Sequence, residues 1–299
     1  MKNSKEILAI GSIAYDSIKT PKGNRDRILG GSCTYFSIAA SNYTKTSIIG
    51  IVGNDFDDKS WDLFKTNNIN TECVEIANGE TFSWGGEYNH DYSERETLFT
   101  NLGVFESFKP KINLEIENPI LYLGNIQPDL QLDVINKVNS NYLIAADSMN
   151  LWIDLFPDKV LELISKVNLF MLNDEEARQL TNKNNLEEIA DDLLKLGPEI
   201  IIIKMGGKGS LIAYDNQKTY ISVVPNTEVY DPTGAGDSFA GGVLGYIANH
   251  GFKNPVEAAI HGTAVASYTV SGFGLENLCN LNKNDLNKKI EKISINSSI

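Results

Sequence analysis

Short, continuous apolar runs alternate with amphipathic stretches along most of this chain. "EILAIG", "TSIIGIVG", "PILYLGNI", "YLIAAD", "VNLFMLND" and "EIIIIKMG" are predicted buried strands. Between and around them, "TYFSIAASNY", "DLQLDVINKVN", "LFPDKVLELISKV" and "NLEEIADDLLKLG" are predicted helices. In the last of these, Leu186, Ile189, Ala190, Leu193 and Leu194 recur on one face at the helical period. Apolar strands separated by amphipathic helices predict a mostly parallel sheet covered on both faces, a three-layer α/β/α architecture. Ligands in such sheets gather beyond the carboxyl ends of the strands.

Two regions break the rhythm. Residues 13–30 alternate as strand, "PKGN" turn and strand. Residues 72–108 are aromatic, half polar and interrupted by a Gly-Gly pair. Both are expected to form antiparallel strands outside the main sheet, as a small β-strand lid; irregular surface loop is the alternative. No repeat or low-complexity linker divides the chain, so residues 1–299 are expected to form a single domain. The polar segment after Asn282 is expected to be helical and peripheral.

Composition narrows the function classes. The formal net charge is -13 and no Lys/Arg cluster stands out, which argues against a nucleic-acid partner. The apolar run Ile7 to Ile10 is too short for a signal peptide, and no run of about 18 apolar residues exists, so no membrane partner is expected. Cys33, Cys73 and Cys279 fit neither a disulfide framework nor a zinc site, and His90, His250 and His261 lack metal-ligand spacing. The expected compartment is the reducing cytoplasm, with no structural metal.

The segment "DPTGAGDSFAGG" (Asp231 to Gly242) carries the chemistry. Glycines ahead of a helix let several N–H groups point outward together, and the helix N-terminus adds positive potential: an anion site. Asp237 would repel a phosphate that was merely bound there. It fits a site where a hydroxyl attacks the phosphate and gives up a proton; alternatively it caps the helix. No G-x-x-x-x-G-K-[ST] is present. The G-x-G-x-x-G pattern fails at Phe239, and the turn comes too late in the chain for a dinucleotide fold.

"DPTGAGD" followed by "FAGG" resembles the signature of the ribokinase-like, or PfkB, carbohydrate kinases, D-T-x-G-A-G-D, with Pro232 and Thr233 in place of Thr and the variable residue. The resemblance runs from about residue 7 to about residue 275. "ILGGSCTYFSIAAS" is similar to the family's N-terminal Gly-Gly motif, "NDEE" to its N-x-x-E motif, and "IIIKMGGKGSLI" to the strand and turn that line the nucleotide. The resemblance implies a ribokinase-like fold and phosphoryl transfer from ATP with Mg²⁺; it leaves open a monovalent cation such as K⁺. Asp237 would be the base, and the N–H groups of Gly234, Ala235 and Gly236 the anion hole. Asn173 and Glu176 would organise Mg²⁺ through its waters. Lys204, Gly207, Gly209 and Thr233 would lie along the nucleotide. Asp16 would hydrogen-bond substrate hydroxyls, and Gly30 and Gly31 would let backbone approach the substrate.

Where the family's sugar kinases often carry Asn, this chain has Tyr35, which is expected beside the substrate and puts its identity in doubt. Pro232 stiffens the signature turn. In "AADSMNLWIDLF", Asp147 and Asn150 could reach the cleft, but a helix-capping loop with Trp152 in the core is the simpler reading. Trp84 could stack on a ligand or on a second copy of the lid. With Tyr92, it suggests exposed aromatics and a homodimer formed through the lid. The leading reading is an ATP-dependent kinase of a small sugar. A nucleoside kinase is the alternative, since Tyr35 and aromatic lid residues suit a flat base, and a catalytically silent sugar- or nucleotide-binding protein comes third.

Overall fold

The computed structural model describes residues 4–296. In chain order the elements are β1 (Ile7–Ile10), β2 (Ala14–Thr20), β3 (Gly23–Gly30), α1 (Ser32–Ser41), β4 (Thr46–Gly53), α2 (Asp58–Thr66), β5 (Ile69–Ala77), β6 (Ser83–Tyr88) and β7 (Arg95–Asn101). The chain continues through β8 (Ile120–Leu123), α3 (Pro128–Lys137), β9 (Leu143–Asp147), α4 (Asn150–Leu155), α5 (Pro157–Ile164), β10 (Leu169–Asn173), α6 (Asp174–Thr181), α7 (Leu186–Leu194) and β11 (Ile200–Lys204). It closes with β12 (Ser210–Tyr214), β13 (Gln217–Ile221), α8 (Ala235–His250), α9 (Pro255–Thr269), α10 (Lys283–Ile290) and β14 (Ile295–Asn296).

A ten-stranded sheet runs in the order β14-β13-β12-β11-β10-β9-β8-β1-β4-β5. Every pairing from β11 to β5 is parallel, and β12 to β14 extend that sheet antiparallel. Alternate side chains of each strand feed opposite faces. In β1, Ile7 and Ala9 join the core beneath α1, α8 and α9, while Leu8 and Ile10 join the core beneath α3, α5 and α7. This is the expected three-layer fold. In α7, Ile189, Ala190 and Leu193 are buried, with Leu186 and Leu194 packed at the margin. The direction of winding reverses beside β1, because β4 lies on one side and β8 on the other. That reversal opens a crevice at the carboxyl end of the sheet.

The second sheet is the lid, in the order β3-β2-β6-β7. The hairpin within 13–30 forms as expected, but the second lid segment is shorter than 72–108. Residues 72–77 belong to β5, the edge of the main sheet, where Cys73 is buried against the core. A single buried face gives β5 the same half-polar alternation as a lid strand, so periodicity could not separate the two. The lid is also not wholly antiparallel: β2 and β6 pair parallel, because the chain passes through the main sheet between them. Trp84 and Tyr92 are half-buried rather than exposed; the exposed apolar lid side chains are Leu98, Phe99 and, just beyond β7, Leu102. The polar tail forms α10 as expected, and β14 then extends the sheet edge.

Candidate active site

The signature turn enters α8 with Gly234 in the left-handed region, φ 74°, and no side chain caps the helix. Two constraints demand glycine there. The dihedral is one; the other is Tyr35, whose ring lies where a Cβ would project. Tyr35 is therefore the floor beneath the turn, 1% exposed, instead of an open pocket wall. Its hydroxyl is buried without a hydrogen-bond partner, and burial together with the charges of Asp16, Asp231 and Asp237 holds its pKa far above the ordinary tyrosine value. Asp231, fully buried, ties the turn down: its carboxylate accepts from Thr233 N–H and from Gly274 N–H, both at 2.9 Å. Of the expected anion-hole donors, Ala235 N–H is already given to Pro232 O at 3.2 Å. The N–H groups of Gly234 and Gly236 have no backbone acceptor among the described residues, as the first turn of a helix allows.

Asp237 lies in the first turn of α8. Burial, reinforced by the nearby charge of Asp147, pushes its pKa up to about 7, while Lys204 pulls it the other way. A carboxyl poised there can accept a proton near neutral pH. Lys204 ends β11 and forms an ion pair with Asp147, which ends β9. Burial works against the Lys204 ammonium, but Asp147, Glu176 and Asp237 outweigh it and raise its pKa above that of an ordinary lysine. A Cβ on Gly236 would come within 3.2 Å of Lys204 Nζ, so the ammonium sits against the turn. Asp147 is thus part of the site, where the sequence favoured a capping loop. Trp152 beside it is half-buried and donates its indole N–H to Asn125 Oδ1 at 2.9 Å. The available signal was position alone: Asp147, Asn173 and Lys204 are the polar last residues of neighbouring parallel strands.

Asn173 and Glu176 form a capping box on α6. Asn173 donates N–H to Glu176 Oε2 at 2.8 Å and its amide to Oε1 at 2.7 Å, and Glu176 N–H returns to Asn173 Oδ1 at 2.7 Å. Glu176 is 5% exposed, and burial moves its pKa up to about 7. Among the described residues no group of three His, Cys, Asp or Glu side chains converges as a metal cage. Each Glu176 carboxylate oxygen has a lone pair left over beyond the bonds from Asn173.

On the lid side, Asp16 is 4% exposed, and burial with the charges of Asp231 and Asp237 raises its pKa to about 7. Gly30 is required by the protein itself, because a Cβ there would overlap the Asp16 carboxylate. Gly31, φ 91°, lies 2.5 Å from Ser12 O by the same measure. The Gly-Gly pair thus brings Asp16 and the crevice backbone together. From the lid, the hydroxyl of Tyr88, one of the expected aromatic lid residues, meets Thr233 Oγ1 at 3.0 Å, and Arg95, which the sequence reading passed over, acts on Asp16 through its charge. Arg95 also lies 5.1 Å above the Trp84 ring.

Beyond Lys204, Gly209 (φ 95°) has a structural reason, since a Cβ would run into Ile221 O. Gly207 faces open space. A cavity of about 1030 Å³ lies between the lid tip (Tyr88, Tyr92, Arg95), the start of α4 (Met149, Asn150) and Asn173.

The profile of the pfkB family carbohydrate kinases matches residues 5–282. A cytidine kinase of Thermococcus kodakarensis is 24% identical over 263 residues, 85% of this chain and 92% of that protein. A nucleoside kinase of Methanocaldococcus jannaschii is 24% identical over 303 residues, covering 97% of each. Among solved structures, Burkholderia thailandensis nucleoside kinase in complex with inosine superposes with a TM-score of 0.79 at 20% identity, covering 95% of this chain and 97% of that one, a likeness of fold. With the signature turn, the lid and the three-layer sheet in their places, the chain belongs to the pfkB family of carbohydrate kinases and is a phosphotransferase of the ribokinase fold.

Proposed function

We propose that this protein is an ATP-dependent nucleoside kinase, transferring the γ-phosphoryl group to a hydroxyl of the nucleoside's sugar. The observation that carries phosphoryl transfer is the placement of a buried, proton-accepting Asp237 beside the free N–H groups of Gly234 and Gly236 and the Lys204 ammonium. The acceptor's neighbouring hydroxyls bond to Asp16, which can take two at once. That anchoring directs the reacting hydroxyl to Asp237, which removes its proton as the oxygen–phosphorus bond forms and ADP departs. Negative charge on the transferring group is met by the two N–H groups and by the helix N-terminus. ATP lies along Thr233, Lys204 and the open turn at Gly207 and Gly209. Mg²⁺, bound through its waters to Asn173 and Glu176, would offset charge on the phosphates.

A nucleoside is favoured over a free sugar by the cavity under the lid tip, which reaches from Tyr88, Tyr92 and Arg95 to Asn150 and Asn173. It is flanked by the Tyr88 and Tyr92 rings, 6.4 Å apart, which suit a flat base. The relatives matched along nearly the whole chain are also named for nucleosides. This reverses the order suggested by the sequence. A small sugar remains the second reading, supported by Asp16 and the Gly-Gly pair, which address only hydroxyls. A silent binding protein has no use for a buried base. Cytoplasmic residence is supported by three unpaired cysteines. A lid-mediated homodimer is supported by exposed Leu98, Phe99 and Leu102 beside the unpaired edge of β7.

The test is a mass-spectrometric screen for transfer from ATP to cytidine, adenosine, inosine, ribose and fructose. Phosphorylated nucleosides as the preferred products support the proposal. Products from the free sugars only would replace it with the second reading, and no product with any acceptor would reject both.

A further inference from the structure

Lys204, expected along the nucleotide, pairs with Asp147 and lies against Gly236 of the signature turn. Three carboxyl groups, Asp147, Glu176 and Asp237, act on one buried ammonium. The lysine side chain keeps 18% exposure against 5% for Asp147. Gly236 lies beside the ammonium, which therefore sits at the signature turn where the N–H groups of Gly234 and Gly236 have no backbone acceptor. Lys204 reaches Asp147 across the end of β10, the strand between their own. Without that anchor the flexible four-carbon stem of lysine would let the charge swing elsewhere.

A buried ion pair contributes little net stability, and an apolar replacement of similar volume is often as stable or more so. Fold stability alone does not account for this one. We propose that Lys204 is a catalytic residue that contacts the transferring phosphoryl group as a third member of the anion hole, and that Asp147 is the positioning residue that aims it. The placement also accounts for the Ala235 N–H turned toward Pro232: the donor lost from the turn is replaced by an ammonium. The inference rests on the phosphotransfer reading but not on which acceptor is used.

The experiment compares the parent with Asp147→Asn, Lys204→Met, the double variant and Asp147→Glu. Binding of ADP alone, and of ADP with aluminium fluoride as a mimic of the transferring group, is measured by calorimetry. Removing one oxyanion donor typically costs about 10²–10³-fold. Lys204→Met is therefore expected to bind ADP within about threefold of the parent, but the ADP–fluoride complex ~10²-fold more weakly. Asp147→Asn should lose ~10-fold or more on the fluoride complex only, and Asp147→Glu should recover most of it. The double variant should be no worse than Lys204→Met, because a positioning residue has nothing left to position. That variant removes both members of the ion pair together, so it reports even if Asp147→Asn fails to fold. Losses that multiply in the double variant, or equal losses for ADP and its fluoride complex, would overturn the assignment. The acceptor screen fails or succeeds separately, since this binding needs no acceptor.

Discussion

Asp237→Asn distinguishes a base from a helix cap by the sign of its effect on stability. Asp237 has a pKa near 3.8 in an unfolded chain and about 7 in the fold, chiefly through burial. Between those values the folded protein binds a proton that the unfolded chain has released, so stability falls as pH rises through the window and levels off above about 7. At pH 8 the native state must hold the carboxylate ionised where it prefers to be neutral, a cost of up to about 4 kcal/mol. At pH 5 only the first part of that cost has accrued, about 1–2 kcal/mol. Relaxation of the site reduces both figures. Asparagine has the same shape and no charge, so it removes the cost.

The variant should therefore melt higher than the parent at pH 8 by several degrees, at roughly 2 °C per kcal/mol for a chain of this length. The gain should shrink at pH 5. Turnover should fall by about 10²–10⁴-fold at the same time. A capping carboxylate makes the opposite prediction: its removal lowers stability by about 0.5–2 kcal/mol with activity retained. Thermal unfolding followed by circular dichroism at both pH values, with steady-state turnover, decides. A lower melting temperature at pH 8, or turnover within a few-fold of the parent, would refute the assignment.

Other outcomes follow from the same geometry. The rate should fall as pH drops below about 7, with more than single-proton steepness because Asp16 and Asp237 both hold protons there; a flat profile down to about pH 5.5 would contradict this. Glu176→Gln should raise the Mg²⁺ concentration needed for half-maximal rate while leaving acceptor KM nearly unchanged, and an identical Mg²⁺ titration would remove Glu176 from the metal's surroundings. Asp16→Ala should lower kcat/KM for every acceptor, whereas Tyr35→Asn, which opens a void beneath Gly234, should lower stability and change the ranking of acceptors; uniform scaling would leave Tyr35 a structural role only. Leu98→Asp with Phe99→Asp should convert a dimer of the parent to monomer in light scattering at micromolar concentration, and a parent that is already monomeric would end the lid-dimer reading.

The sheet was legible because its strands are buried on both faces and its helices on one, which writes the two periods plainly into the chain. The signature turn was legible because glycines followed by an acid at a helix start form a compact local pattern that a phosphate site would use, although Gly234 also answers to the fold. β5 was missed as a main-sheet strand because an edge strand half open to solvent alternates just as a lid strand does. Tyr35 was placed beside the substrate from its position after the Gly-Gly pair. Its burial under Gly234 comes from α1 packing against α8, a contact between segments 200 residues apart in "CTYFS" and "PTGAG", and local pattern carries nothing of it. Asp147 was weighed but set aside because its partner, Lys204, is distant in sequence; only parallel strand order brings the two together.

The lid's attachment explains how so enclosed a site admits a substrate. Four polar contacts fasten the lid to the far wall: Tyr88 to Thr233, Tyr92 to Val229 O, Lys22 to Glu228, and Arg25 to Glu276. The two ion pairs join exposed side chains screened by solvent, and such pairs add little. Hydrogen bonds such as those of Tyr88 and Tyr92 contribute about 0.5–1.5 kcal/mol net. The latch therefore consists of a few weak polar contacts, of the kind that open on the timescale of turnover. Opening it breaks the Tyr88–Thr233 contact, so the lid and the signature turn are coupled; in the proposed mechanism the contact that closes the lid also steadies the turn that meets the phosphoryl group. Tyr88→Phe keeps the ring and removes only that coupling. It should leave the fold intact, raise acceptor KM and lower kcat together by several-fold, and spare ADP binding. A change in KM alone would mean that Tyr88 contacts the acceptor but does not steady the turn.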